Sequence, residues 1–256
     1  MAVYLVHWNA PKWCAESVAT LRGPHIRVSV VNNGGDLDLP EDVCIVSTGF
    51  NLGFSAAANL GLRLGLESDA PYLFIGCHDV RLAPGSMDAM VGALERDRGL
   101  GILGPVLDAQ GSSESDLDWI SGTGMLIRRE VAESVQFDER FGSYNEDVDF
   151  CFRTRDLGWR VGRSGGAHAV TAGSVDSRRA TVLMHSNSLV FFQRRRMWRQ
   201  FVLRLMFLAR QTMKSLLQGS TSEAWLYSRA LLRGLSRCLV FPIQRPDRVS
   251  RRHRLV

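Results

Sequence analysis

The chain lacks any apolar run long enough to cross a bilayer, since no window reaches roughly 18 uninterrupted apolar residues, and its opening MAVYLVHWNAPKW has no basic stretch ahead of an apolar core. Neither a secretion leader nor a spanning helix is expected. The five cysteines, Cys14, Cys44, Cys77, Cys151 and Cys238, are odd in number, scattered and never spaced CxxC. That pattern argues against a disulfide framework and a zinc cage, and it fits a reducing cytoplasm. No internal repeat is visible. Acid is missing from the C-terminal end: residues 194–256 hold 15 Lys plus Arg against 2 Asp plus Glu, while residues 1–193 hold 16 against 24. The two parts are built for different surroundings.

What is present suits a packed α/β protein. At 256 residues and 45% hydrophobic content the chain can bury a substantial core. Short apolar runs VYLVHW, IRVSVV, VCIVST and YLFIG read as buried strands. They alternate with PKWCAESVATL, GFSAAANLGLRLGLES and PGSMDAMVGALERD, which carry helical spacing. The polar segment Gly111–Asp118 reads as a surface loop, followed by a strand-like WISGTGMLI. The tail holds two helical stretches, one from Arg194 to Gln218 and one from Glu223 to Phe241, stopped by Pro242.

Residues 137–161, FDERFGSYNEDVDFCFRTRDLGWRV, crowd carboxylates against aromatic side chains. A buried, unpaired charge costs several kcal/mol, so the cluster needs either partners or a task. Ser143 or Asn145 is placed to cap a helix there, and the positive end of its dipole favours Glu146, Asp147 and Asp149. Asp149 stands four residues before Arg153, a spacing that favours an ion pair.

Strand ends followed by Gly or Asn are where open α/β sheets bind ligands, and this chain has them at VVNNGG, STGFNLGFSAAANLG and FIGCHDV. With SGTGMLIRRE and FDERFGSYNEDVDFCFRTRDLGW these form five ordered motifs, and together they resemble family 2 glycosyltransferases of the rhamnosyltransferase-like subgroup. The resemblance spans roughly residues 3 to 195. It implies a GT-A fold, a Rossmann-like, mixed and mostly parallel sheet flanked by helices. A nucleotide-sugar half would run to about residue 110 and an acceptor half over 111–193, with 194–256 as a basic helical tail.

The same resemblance implies an inverting transfer of a sugar, with dTDP-rhamnose as the first donor to try, from a dTDP- or UDP-sugar to a hydroxyl acceptor in envelope, polysaccharide or natural-product glycan assembly. Asp147 would be the general base, with Glu146 its rival. Asp79 ends the degenerate DxD segment CHDV, beside His78, and would anchor Mg2+ or Mn2+ and the diphosphate; its alternative is a turn cap. Cys77 stands where the pattern carries an oxygen ligand, which puts metal dependence in question. Asn9, Asn32, Asn33, Asn51, Gly53 and Asn59 would hold the nucleotide. Asn32 would accept from the base through its amide oxygen, or simply form a turn. Trp119, Ser121, Gly122 and Thr123 would form the sugar or acceptor pocket, unless Trp119 is a core residue. His168 and Thr171 receive no role, and His185 a packing one.

In the tail, Arg229, Arg233 and Arg237 recur every fourth residue, with Leu232, Leu235 and Leu239 on another face. The first expectation is an interfacial anchor on an anionic membrane surface near a lipid-linked acceptor, peripheral at the inner face. Helix pairing in a homo-oligomer comes second, and nucleic acid is not expected. The rival to an enzyme is a non-catalytic sugar-nucleotide binding or scaffold subunit.

Overall fold

The computed structural model describes residues 1–107, 115–172 and 177–241. The chain divides into two compact units: Met1–Gly142 with Glu146–Gly173, and Ser143–Asn145 with the chain from Ser174 on. The charge break expected after Gln193 falls inside a helix, Ser177–Arg194.

The first unit is a nine-stranded mixed sheet in the order β3-β2-β1-β4-β8-β6-β9-β5, with β7 pairing β9. Strands β1 (Ala2–His7), β2 (Arg27–Asn32), β3 (Cys44–Ser47) and β4 (Tyr72–Cys77) run parallel. Helices α1 (Pro11–Leu21) and α2 (Phe54–Leu66) join them, and β5 (Arg81–Leu82) and α3 (Ser86–Arg96) follow. In the other half, β8 (Gly124–Arg128) lies antiparallel to both β4 and β6 (Leu100–Leu107), and β9 (Arg160–Val170) is parallel to β6. Helices α4 (Arg129–Ser134) and α5 (Glu146–Asp156) complete the unit.

Alternation along β1 builds both cores. Ala2, Tyr4 and Val6 face α2, α4 and α5, whereas Val3 and Leu5 face α1 and α3. Small residues in α2 bring that helix close to the sheet: a methyl group at Gly65 would lie 1.9 Å from Leu73 Cδ2, and one at Gly61 2.8 Å from Tyr4 Cβ. The small residues of this segment therefore serve helix-on-sheet packing.

Two expectations change. The run VCIVST is not a buried strand, because β3 is the sheet's edge, with Cys44, Ile45 and Ser47 exposed. The loop expected over Gly111–Asp118 lies outside the described residues up to 114, and Ser115–Leu117 form strand β7, antiparallel to β9.

The second unit packs α6 (Ser177–Arg194), α7 (Trp198–Leu217) and α8 (Thr221–Val240). A methyl group at Gly234 would meet Leu189 Cδ1 at 2.6 Å, so α8 approaches α6 closely there. Residues from 242, including Pro242, lie outside the described residues. His185 packs as expected, its ring 5.3 Å from that of Phe207. It accepts from Arg204 at 2.6 Å, and burial, with the nearby guanidinium, pushes its pKa down to about 4. The Arg stripe of α8 is broken, because Arg237 turns inward to the Asn187 side-chain oxygen and stacks on Phe241.

Candidate active site

The antiparallel pairing of β4 with β8 sets Gly76 opposite Gly124, which brings the ends of CHDV and SGTG together. Cys77 N–H donates to the Thr123 carbonyl at 3.0 Å, and the Cys77 thiol approaches the Gly122 carbonyl at 3.7 Å. From the other side comes the start of α5. Gly122 N–H donates to Asp147 Oδ2 at 3.0 Å, and Val148 N–H to Oδ1 at 2.8 Å. A side chain at Gly122 would press on Phe54, 3.1 Å away, so only glycine keeps this approach easy. Asp147 is thus held by both oxygens and is partly buried. Burial raises its pKa, against the lowering effect of the backbone N–H groups.

Glu146 is buried at 5% exposure, and its Oε2 has no hydrogen-bond partner among the described residues. Burial, then the adjacent Asp147 charge, holds its pKa well above the usual carboxylate range. Asp149 does what its spacing suggested, pairing with Arg153 at 2.7 Å, while Arg155 pairs with Asp118 instead. Asn145, just before α5, has φ +68, a left-handed backbone in place of the extended one usual for a helix cap.

The Cys77 thiol is pushed well above its ordinary range by burial, then by the fields of Asp79, Glu146 and Asp147. It is a neutral thiol, unsuited to binding a hard cation. Asp79 is buried, and Oδ2 accepts from the Thr171 hydroxyl at 2.5 Å. Among the described residues no group of three or more His, Cys, Asp or Glu could hold a metal by itself. One carboxylate suits magnesium-type binding, in which phosphate oxygens and water complete the shell. His78 is turned toward the sheet, its Nδ1 3.2 Å from the Val6 carbonyl and its ring edge-on to His7.

The residues expected to hold a nucleotide divide into those near one turn and those that are not. His7 Nε2 accepts from Ala10 N–H at 3.0 Å, which puts its proton on Nδ1, donated to Asn32 Oδ1 at 2.9 Å. Asn32 Oδ1 also accepts from Gly34 N–H, and Nδ2 donates to the Gly35 carbonyl, both at 3.0 Å. Both lone pairs of that oxygen are engaged, so the expected acceptance from a base through it has no site left. Asn9, at φ +49, lies against the same turn through N–H to the Gly34 carbonyl at 3.1 Å.

Asn33 is buried and braces the next loop, donating to the Gly53 carbonyl at 3.3 Å and accepting from Leu52 N–H at 3.4 Å. Asn51 accepts from Gly53 N–H at 2.8 Å, and Gly53 has φ +81 beside the Gly142 carbonyl. Asn59 stands apart. It is buried in α2, donating to the Phe137 carbonyl and Glu139 Oε1, both at 2.9 Å, and accepting from Phe137 N–H at 2.8 Å. Both N–H groups of its amide are engaged, and its oxygen already accepts from Phe137, so the side chain acts as a clamp between α2 and that segment.

Trp119, Ser121 and Thr123 line one cavity of about 190 Å3, with Pro105, Ile120 and Arg163. Trp119 is 46% exposed and is therefore not a core residue. The Ser121 and Thr123 hydroxyls are 2.9 Å apart. Sequence reasoning gave no role to Thr171, which steadies Asp79, or to His7, which orients Asn32. A histidine ending a buried strand was the one available signal for His7.

No family model matches the chain. Two curated relatives, from two strains of Mycobacterium tuberculosis, are each named N-acetylglucosaminyl-diphospho-decaprenol L-rhamnosyltransferase. Each is 28% identical over 200 residues, which is 56% of this chain and 64% of the relative, so the chain spans less than two thirds of their length. Among solved structures, a mannosyltransferase from Pyrobaculum calidifontis in complex with GDP-Man and Mn2+ superposes with a TM-score of 0.64 at 14% identity, covering 93% of this chain and 86% of that one. A fragment of S. aureus TarS gives 0.58 at 15% identity, covering 92% and 80%. The fold is the GT-A fold of glycosyltransferases.

Proposed function

We infer that the chain is an inverting glycosyltransferase that moves a sugar, with rhamnose the first candidate, from a nucleoside diphosphate donor to a hydroxyl of a lipid-linked acceptor in cell-envelope glycan assembly. The observation that carries this reading is Asp147. Its carboxylate is fixed by two backbone N–H groups at the junction of β8 and α5, beside the cavity-lining segment of Trp119, Ser121 and Thr123. The likeness to rhamnosyltransferases that act on a diphospho-decaprenol acceptor supports the choice of sugar and acceptor class.

In this mechanism the acceptor hydroxyl donates its proton to Asp147 as its oxygen attacks the anomeric carbon. The bond to the nucleoside diphosphate breaks on the opposite face, and that group leaves with the bonding electron pair, so one displacement inverts the centre. A raised pKa strengthens Asp147 as a base while leaving it ionised at higher pH. Asp79, steadied by Thr171, would hold a divalent cation together with the donor's diphosphate oxygens. When bound, the cation neutralises charge on the leaving group. Cys77 is a neutral thiol, and the raised pKa of Glu146 favours its neutral form, so both limit further negative charge near that diphosphate.

The test is a donor panel of dTDP- and UDP-sugars, with and without Mg2+ or Mn2+, on wild type and Asp147→Asn. The variant is expected to lose about 10²- to 10⁴-fold in kcat while still binding the donor nucleotide. In wild type, activity should fall as pH drops through the raised pKa of Asp147, because protonation removes the base. Turnover unchanged in the variant would sink the assignment.

A further inference from the structure

Between α6 and α8, wholly within the second unit, lies a groove of about 860 Å3. Arg178 and Arg179 border it from α6, and Arg229 and Arg233 from α8. The rest of the lining is Val182, Leu183, Leu226 and Trp225, with the hydroxyl of Ser222. Among the described residues no carboxylate lines it, and Glu223 is the one acid in the sequence of residues 177–241. Arg229 already lies over the Trp225 ring, 4.8 Å from its centroid, so one guanidinium is oriented against the apolar wall.

We propose that this groove binds the diphosphate head of a lipid-linked substrate together with the first part of its hydrocarbon chain, an inference that rests on the lipid-linked acceptor assigned above. The chemistry selects that class. Planar guanidinium groups from two helices match several phosphate oxygens at once, whereas a singly charged phosphodiester would engage only one of them well. Val182, Leu183 and Leu226 offer no hydrogen bond to a sugar or a base. A single indole is also a poor platform for a nucleic-acid strand, which needs successive stacking partners. The volume falls within the range of sites that enclose a small molecule, larger than a phosphate ion requires. Arg237, turned away to Asn187, is not part of the site.

The experiment is calorimetric titration of the full chain with farnesyl diphosphate as the probe. Parallel arms use inorganic pyrophosphate, phosphatidylglycerol vesicles and a single-stranded oligonucleotide. Wild type should bind farnesyl diphosphate at least about tenfold more tightly than pyrophosphate, because the chain adds apolar burial. Arg229→Ala with Arg233→Ala should weaken farnesyl diphosphate at least about tenfold, and the double Lys variant should weaken it less, since charge remains and the planar fork is lost. Leu226→Ala should weaken farnesyl diphosphate and leave pyrophosphate unchanged, because it removes apolar surface without adding charge. Thermal melts of each variant check the fold.

Equal affinity for pyrophosphate and farnesyl diphosphate would overturn the proposal in favour of a phosphate site. Vesicle or oligonucleotide binding that depends on Arg229 and Arg233, without farnesyl diphosphate binding, would overturn it in favour of a membrane or strand contact. Unchanged binding by the double Ala variant would also overturn it. The readout needs no turnover. Loss of the groove would therefore leave the donor reaction standing, and failure of the donor panel would leave a measured lipid-diphosphate site.

Discussion

Replacing Asn59 with alanine separates a structural clamp from a nucleotide contact. The amide satisfies both the N–H and the carbonyl of Phe137, at 2.8 and 2.9 Å, in a buried setting. Alanine leaves both backbone groups without a partner, and each such orphan costs about 1–3 kcal/mol. The third bond, to Glu139, contributes little because that side chain is about half exposed and finds water. A net loss of about 3 kcal/mol is expected, which at roughly 2–4 °C per kcal/mol for a unit of this size lowers the melting temperature by about 6–12 °C. Asn59→Asp should be worse near pH 7 than near pH 4, because its carboxylate would face the Phe137 carbonyl and the Glu139 carboxylate. The assay is differential scanning calorimetry beside donor KM. A melting temperature within about 1 °C of wild type, with donor KM raised tenfold, would refute the clamp and return Asn59 to the nucleotide site.

Other expectations follow the same geometry. Glu146 has a folded pKa above its unfolded value, so its contribution is most favourable at acid pH and diminishes as pH rises through the folded pKa. Glu146→Gln should therefore stabilise the protein at neutral pH relative to wild type, with the advantage vanishing below about pH 4, as urea midpoints across pH would show. Gly65→Ala should destabilise by about 1–3 kcal/mol, because its methyl group overlaps Leu73; circular dichroism melts check this, and a neutral result would mean α2 can slide outward. Thr171→Val removes the bond to Asp79 and should raise the divalent cation concentration needed for half-maximal turnover, with kcat at saturating cation changed less; an unchanged cation requirement would detach Thr171 from the site.

How much of this the residues announced depended on how local each signal was. Strands β1, β2 and β4 and helix α1 were legible because their apolar spacing is continuous over one element. Strands β6 and β9 were not. LGILGPVL carries a proline, RVGRSGGAHAV is rich in Gly and Ser, and both are stabilised by neighbours far along the chain. VCIVST has the composition of a buried strand, yet its exposure is fixed by its place at the sheet edge, which no local pattern reports.

The site shows the same division. Asp147 and Asp79 stood out as residues, but that both act on Cys77 depends on the register of β4 against β8. The amide of Asn32 looked available until His7 and the Gly34 N–H were seen to occupy its oxygen. Asn59 was misplaced because its partners, Phe137 and Glu139, are about 80 positions away.

The neutral, arginine-bound His185 has a consequence for any titration of the whole molecule. Lys12 and Lys214 are the chain's only lysines, so the second unit carries its positive charge almost entirely on guanidinium groups, which do not deprotonate. With His185 held near pKa 4, that charge stays constant among the described residues between about pH 5 and 9. The described residues of the second unit therefore carry a fixed charge, so they add no step of their own to a pH profile of turnover over that range. Acetylation, which acts on lysine, has almost nothing there to neutralise.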